Sequence, residues 1–243
     1  MVNQAVSDMD FKSGEVLLID KPLHWTSFDV VKKLRYALRK LYKQKKFKVG
    51  HAGTLDPLAT GLLVLCTGKK TKEIDSFIQE EKEYIADIKF GSTTPSYDLE
   101  TAVNGTFPTE HLTESFIKNL LPDFQGEQWQ TPPDFSAKKV NGKRAFLSAR
   151  KGIELNLKPN RIDIKSLELL YFQPDEFVVK IKVCCSKGTY IRSFANDLGK
   201  AANSGAHLIG LRRTRSGAFS VADAYDIHQL VEQINQLPEK TGT

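Results

Sequence analysis

The spacing of apolar residues predicts an α+β fold built on a mixed sheet. Three observations carry this reading. Short apolar or alternating runs, bounded by glycine and proline, recur along the whole chain. Few segments have helical period, and they fall among the strands in irregular order rather than in a βαβα alternation. No internal repeat or low-complexity segment is present. The pattern does not set the strand order.

GEVLLIDKP (14–22) is a short apolar run closed by Lys-Pro, the signature of a strand. TSFDVVKKLRYALRKLYK follows, with Val31, Leu34, Leu38, Leu41 and Tyr42 at helical spacing and a T-x-x-D capping pattern at Thr26 and Asp29. Its opposite face is strongly basic. GLLVLCTG, flanked by glycines, reads as a buried strand, and EYIADIKFG alternates like a half-buried one. Residues 106–161 are polar and punctuated by Pro and Gly, which suits either a long functional loop or a small insertion. FVVKIKVCC (177–185) has period two, with Phe177, Val179, Ile181, Val183 and Cys185 on one face. SKGTY ends that strand. IRSFANDLGKAA then reads as a helix with Ile191, Phe194, Leu198 and Ala201 on one side and Gly205 as its stop. HLIGLRRTRSGAFSV is strand-like and dense in arginine, and DIHQLVEQINQL is helical.

Composition excludes several classes. With 243 residues, 40% apolar and 26% charged, the chain has the means to bury a substantial core. No apolar run reaches the roughly 18 residues that span a bilayer, and MVNQAVSDMDFKSG lacks the basic and apolar regions of a signal peptide. Three cysteines, two of them adjacent, form no disulfide framework, and the five histidines have no metal-site spacing with them. A reducing cytoplasm is the expected location, with no membrane partner and no metal. A phosphate loop of the G-x-x-x-x-G-K-[ST] type is absent, so nucleotide triphosphate binding has no support. A methyltransferase would need a glycine-rich cofactor loop after the first strand, and GEVLLIDKP offers none. The net charge of +6 is segregated: windows 32–48, 136–151 and 186–217 hold 21 of the 35 basic residues and a single acid. Such patches suit a polyanion such as nucleic acid, or three solvated faces.

One acid stands alone. In GHAGTLDPLATGLLVLCTG (50–68), Asp56 has no other carboxylate within sixteen residues on either side. Pro57 biases it towards extended backbone, and Gly53 and Gly61 permit unusual dihedrals or close approach of a ligand. A carboxylate on a stiff loop can act as nucleophile, base or electrostatic stabiliser. On composition alone, an Asp that starts a turn is the simpler account. Other candidates have more than one reading each. Tyr84, opening a strand, is catalytic or core. Arg192 is the partner of a cleft carboxylate, a phosphate clamp or a surface cation. His51 reaches a flipped base or caps a turn. Lys21 touches phosphate or lies on the surface, and Tyr190 stacks a base or fills the core. Cys184 and Cys185 read as packing residues.

GHAGTLDPLATGLL, together with KEY, SAKKVNGKRAFLSARKG and CSKGTYIRSFANDLG, resembles the TruB-type tRNA pseudouridine synthases. The likeness begins at GEVLLIDKP, ends at LRRTRSGAF, and covers most of residues 14–220. It implies a pseudouridine synthase fold, with a central mixed, mostly antiparallel sheet flanked by helices and loops. It implies one catalytic domain over 1–243, with a core at about 14–220, an RNA-contacting insertion at about 124–158 and a C-terminal helix and tail at 221–243. The implied reaction detaches uracil from C1′ of uridine 55 in the tRNA T loop, turns it, and rejoins it through C5, with no cofactor. Asp56 matches the catalytic aspartate, acting on the base, on C1′, or on a glycal-type intermediate. Tyr84 matches the tyrosine of the base pocket and Arg192 the arginine that pairs with the aspartate. His51 matches the histidine that holds the T loop with the base extruded. Tyr190 lies beside that pocket, Leu211 packs near the base, and Lys21 belongs to the N-terminal DKP motif. SAKKVNGKRAF matches the segment that closes over the T loop, with Lys139 and Arg144 as RNA contacts. The implied partner is the tRNA T stem-loop and the implied state a monomer. Two departures stand out: many relatives carry a C-terminal PUA domain, which this chain is expected to lack, and Phe135 and Lys138 stand where Tyr and Leu are more usual. A non-catalytic tRNA-folding chaperone is the alternative, since it would keep the basic surfaces and dispense with Asp56, Tyr84 and Arg192.

Overall fold

The structure, a computed structural model, describes residues 5–136, 138–140, 143–151, 153 and 155–240, with backbone alone at 139, 140, 143 and 144. In chain order the elements are β1 (Val16–Lys21), α1 (Ser27–Leu41), β2 (Val49–Ala52), β3 (Ala59–Thr67), α2 (Ile74–Gln79), β4 (Lys82–Phe90), β5 (Ser92–Thr93), β6 (Gly105–Thr106), α3 (Glu114–Leu120), β7 (Gly126–Gln130), β8 (Lys139–Val140), β9 (Lys143–Arg144), α4 (Ala145–Ala149), β10 (Asn160–Gln173), β11 (Val178–Cys185), α5 (Ile191–Ala201), β12 (Ala206–Ser216), β13 (Phe219–Ser220), β14 (Tyr225–Asp226) and α6 (Ile227–Gln236). Strands build a large mixed sheet flanked by helices, as the apolar pattern predicts. The chain divides into two compact units, Met1–Lys82 with Arg212–Thr243, and Glu83–Leu211.

The first unit is organised by β3. On one edge it pairs antiparallel with β1, from Val16 opposite Cys66 to Lys21 opposite Gly61. On the other, its C-terminal half pairs with β2, from Val49 opposite Thr67 to Ala52 opposite Val64. β14 runs parallel to β1. The uninterrupted apolar run of β3 has a physical cause: both its faces are covered. Leu63 and Leu65 join the large cluster formed with α1 and α6, whereas Leu62 and Val64 join Ala52 on the opposite face. Helix α1 buries Val30, Val31, Leu34, Ala37, Leu38 and Leu41. Its start is a full capping box: Asp29 N–H donates to Thr26 Oγ1 (3.0 Å) and Thr26 N–H donates to Asp29 Oδ2 (2.9 Å).

In the second unit β10 pairs antiparallel with β11 on one edge and with β7 on the other. Val179, Ile181, Val183 and Cys185 of β11 are buried, as alternation predicts. Phe177 is a correction: it sits in the turn before the strand, with a left-handed φ of 51°. Tyr190 is another, since the chain has already left the strand and Tyr190 is the N-cap of α5. The polar region at 106–161 holds α3, β7, the β8–β9 pair and α4 among its described residues rather than one loop. Within SAKKVNGKRAF, Ala137, Asn141 and Gly142 lie outside the described residues. No helix among the described residues is long and apolar enough to cross a membrane.

Candidate active site

In the first unit the chain leaves β2 through Gly53, which has φ of 93°, and runs by Leu55 and Asp56 into β3. Asp56 opens a turn: the Ala59 N–H donates to its carbonyl at 3.1 Å, with Pro57 at the second position. The turn reading therefore holds; the turn uses the backbone carbonyl of Asp56, and the residue is half-buried. The residues on either side are tied down. Leu55 N–H donates to Ser27 Oγ (2.8 Å), and that hydroxyl donates back to the Leu55 carbonyl (3.1 Å). The Pro57 carbonyl accepts from His24 N–H at 2.8 Å.

Arg213, which the sequence offered only as one cation in LRRTR, is the hub of this region. It is 1% exposed; its Nε donates to the Leu62 carbonyl (2.7 Å) and its Nη2 to the Gly53 carbonyl (3.2 Å). Its charge is felt by two of the sequence candidates. His51, on β2, has its pKa lowered first by burial and then by Arg213, so its imidazole is neutral at pH 7. Lys21 is 0% exposed and donates to the carbonyls of Pro22 (2.9 Å) and Trp25 (2.6 Å), so it is neither a surface group nor a free phosphate ligand. Burial lowers its pKa from 10.5 to about 8, against the upward pull of Asp56 and with a further push down from Arg213. Arg212 is also committed. It forms a two-pronged ion pair with Asp20 (3.0 and 2.6 Å), leaving Arg215 as the exposed arginine of the run.

The Lys21 shift has a measurable consequence. Folding weakens proton binding at this lysine, so the unfolded chain holds more protons between pH 8 and 10.5, and stability rises with pH across that window. Below it the buried charge destabilises in full. We expect the unfolding free energy of the wild type, minus that of Lys21→Met, to increase from about pH 7 to about pH 10 in urea titrations. A difference that stays flat would contradict a charge held in this pocket.

In the second unit, Tyr84 is nearly buried on β4 and Leu211 half-buried on β12. Tyr190 is half-buried, and its backbone is clamped by the buried Gln130, which accepts from Tyr190 N–H (2.8 Å) and donates to its carbonyl (3.1 Å). Arg192, in the first turn of α5, is 4% exposed. It donates to the carbonyls of Ser96 (3.2 Å) and Phe135 (3.0 Å), and its Nε lies 3.6 Å from Asp98 Oδ2. A cation at a helix N-terminus opposes the helix dipole, and the buried Asp98 carboxylate offsets this. Asp98 was not singled out in the sequence. It closes a tight turn in which Thr94 and Ser96 hydroxyls donate to its carbonyl, at 2.7 and 3.2 Å. The only sequence signal was the dense hydroxyl spacing of STTPSYD. Side chains of Lys139 and Arg144 lie outside the described residues; their backbones pair as β8 and β9.

Lys21 thus feels both Asp56 and Arg213, and His51 feels Arg213, in one unit, while Arg192 pairs with Asp98 in the other. Residues 39–191 match the model of the TruB family pseudouridylate synthase N-terminal domain, and residues 192–241 that of the tRNA pseudouridylate synthase B C-terminal domain. A tRNA pseudouridine synthase B of Parabacteroides distasonis is 57% identical over 88% of this chain and 90% of its own length. Among solved structures, the "Crystal Structure of a Cbf5-Nop10-Gar1 Complex" matches 91% of this chain at 28% identity with a TM-score of 0.68. The "Structure of H/ACA RNP bound to a substrate RNA containing 2'-deoxyuridine" matches 91% at 26% identity with a TM-score of 0.66. The chain spans about half the length of those two solved chains, 54% and 53%.

Proposed function

Because the chain belongs to the TruB family of pseudouridylate synthases, we propose that it isomerises uridine 55 in the T loop of tRNA to pseudouridine. Asp56 is the catalytic carboxylate, and Tyr84 and Arg192 complete the catalytic set. His51, Tyr190, Leu211, Lys21, Lys139 and Arg144 bind the RNA or shape its pocket, within a catalytic core at about 14–220 and an insertion at about 124–158. The N1–C1′ bond breaks, the uracil turns, and C5 bonds to C1′ while C5 gives up its proton and N1 gains one. The reaction is an isomerisation, so nothing else enters or leaves.

The observation that carries the reading is the GTLDP loop, where the half-buried Asp56 sits between two anchored residues. A stacked base hides C1′ and C5, so the target nucleotide must be flipped, at a cost of a few kcal/mol. Cations on the outer face of α1 supply sequence-independent attraction. Lys32, Lys33 and Arg39 are exposed there, beside a groove of about 620 Å³ also lined by Trp25 and Tyr36. Asp29 in the same groove is engaged by Thr26, with its pKa lowered by those hydrogen bonds.

The test is conversion of a T stem-loop transcript by the purified chain with nothing added. Pseudouridine is isobaric with uridine, so the readout is carbodiimide labelling followed by primer extension. A stop at uridine 55 is expected. Tight binding without a stop would overturn catalysis and favour the tRNA-folding chaperone.

A further inference from the structure

We infer that Ser27 is a positioning residue for Asp56, and that the first turn of α1 is the jig on which the GTLDP loop is set. This rests on the reading of Asp56 as the catalytic carboxylate. Ser27 is 2% exposed, and its single hydroxyl satisfies both backbone groups of Leu55. Only a short side chain that donates and accepts at one atom can do this. The other neighbour of Asp56 is held from the same segment, by the N–H of His24 on the Pro57 carbonyl. Asp56 is therefore fixed on both sides by residues 24–27.

That segment is itself held. The capping box of Thr26 and Asp29 sets the entry into α1, and Lys21 Nζ grips the Pro22 and Trp25 carbonyls. Behind it, Val30, Val31 and Leu34 are buried in the core. His24, whose N–H makes that tie, has a left-handed φ of 67°. Neither tie uses the Asp56 carboxylate, so the chain sets the position of this residue through its neighbours. A displacement of about 1 Å at a reacting group costs on the order of 10²-fold in rate, so loosening Leu55 should appear in the chemical step.

The experiment compares wild type, Ser27→Ala, Ile234→Val and Asp56→Asn. Ser27→Ala should lower the single-turnover rate on the T stem-loop by about 10- to 100-fold and leave the affinity within about twofold. Ile234→Val removes a buried methylene from α6 and should lower Tm without changing the rate. An unchanged rate in Ser27→Ala would overturn the inference. So would a rate loss that Ile234→Val reproduces at matched loss of Tm, since that would mark Ser27 as merely structural. In the wild-type chain the Leu55 and His24 amides should exchange slowly with solvent; rapid exchange at Leu55 overturns the tie even where the alanine variant does not fold. An active Asp56→Asn removes the reading on which the inference rests, whatever Ser27 does.

Discussion

Asp56→Asn is expected to slow pseudouridine formation by on the order of 10⁴-fold or more, about 5.4 kcal/mol of transition-state stabilisation. Affinity for the T stem-loop should stay within about threefold. The reason for expecting so clean a separation is local. Asparagine keeps the shape of aspartate and its preference for turns, and the turn here is closed by the backbone carbonyl of residue 56. The ties at Leu55 and Pro57 survive the substitution because they involve neither oxygen of the carboxylate. What is lost is the negative charge, and with it the capacity to attack or to stabilise a positive centre. A second readout follows from the same change. Asp56 raises the pKa of Lys21 against burial, so its neutralisation should move that lysine further below its ordinary value. Binding that falls in step with turnover would instead show that residue 56 holds the loop together. Full activity would remove it from the chemistry.

How much of this was legible in the sequence depended on whether the signal was local. The run GLLVLCT reads as a strand covered on both faces because no polar residue interrupts it, and the structure supplies the two faces. The stripe and cap of α1 are local too. By contrast β10, the longest strand among the described residues, was not singled out. Nearly all of it is exposed or half-exposed, and it carries two register shifts against β11, which break the period on which strand recognition rests. Asp56 was conspicuous because it was solitary. Arg213 and Asp98 were not, since each owes its role to a distant partner: a carbonyl on β3 in one case, a guanidinium on α5 in the other. A buried arginine within LRRTR looks like its exposed neighbour until the backbone beside it is known. Ser27 was hidden differently, since the adjacent capping box already accounted for a hydroxyl at the start of a helix.

Gly61→Ala should cost about 3 to 6 kcal/mol, from left-handed strain and steric overlap together. Gly61 has φ of 100° and faces Lys21 across the β1–β3 ladder. A Cβ placed there would lie 2.2 Å from the Arg213 carbonyl oxygen and 2.7 Å from its nitrogen. Those are main-chain atoms, so no rotamer change relieves the overlap; residue 213 and β3 must separate. Separation also pulls Arg213 Nε from the Leu62 carbonyl and Nη2 from the Gly53 carbonyl, stranding a buried guanidinium. Gly53 is the internal control. Its φ of 93° is as demanding, yet an added Cβ would meet Arg213 Nη1 at 3.4 Å, an ordinary contact with a flexible tip. Gly53→Ala should therefore cost about 1 to 2 kcal/mol, the backbone strain alone. Urea midpoints separate the two: the larger loss is a sizeable part of the whole stability of a typical domain, the smaller is not. Equal and modest losses would mean that β3 and residue 213 are not held together as tightly as this geometry requires. Because Asp56 lies between these glycines, and both rest against Arg213, the Gly61 variant should also lose turnover at temperatures where it is still folded, before it loses its grip on RNA.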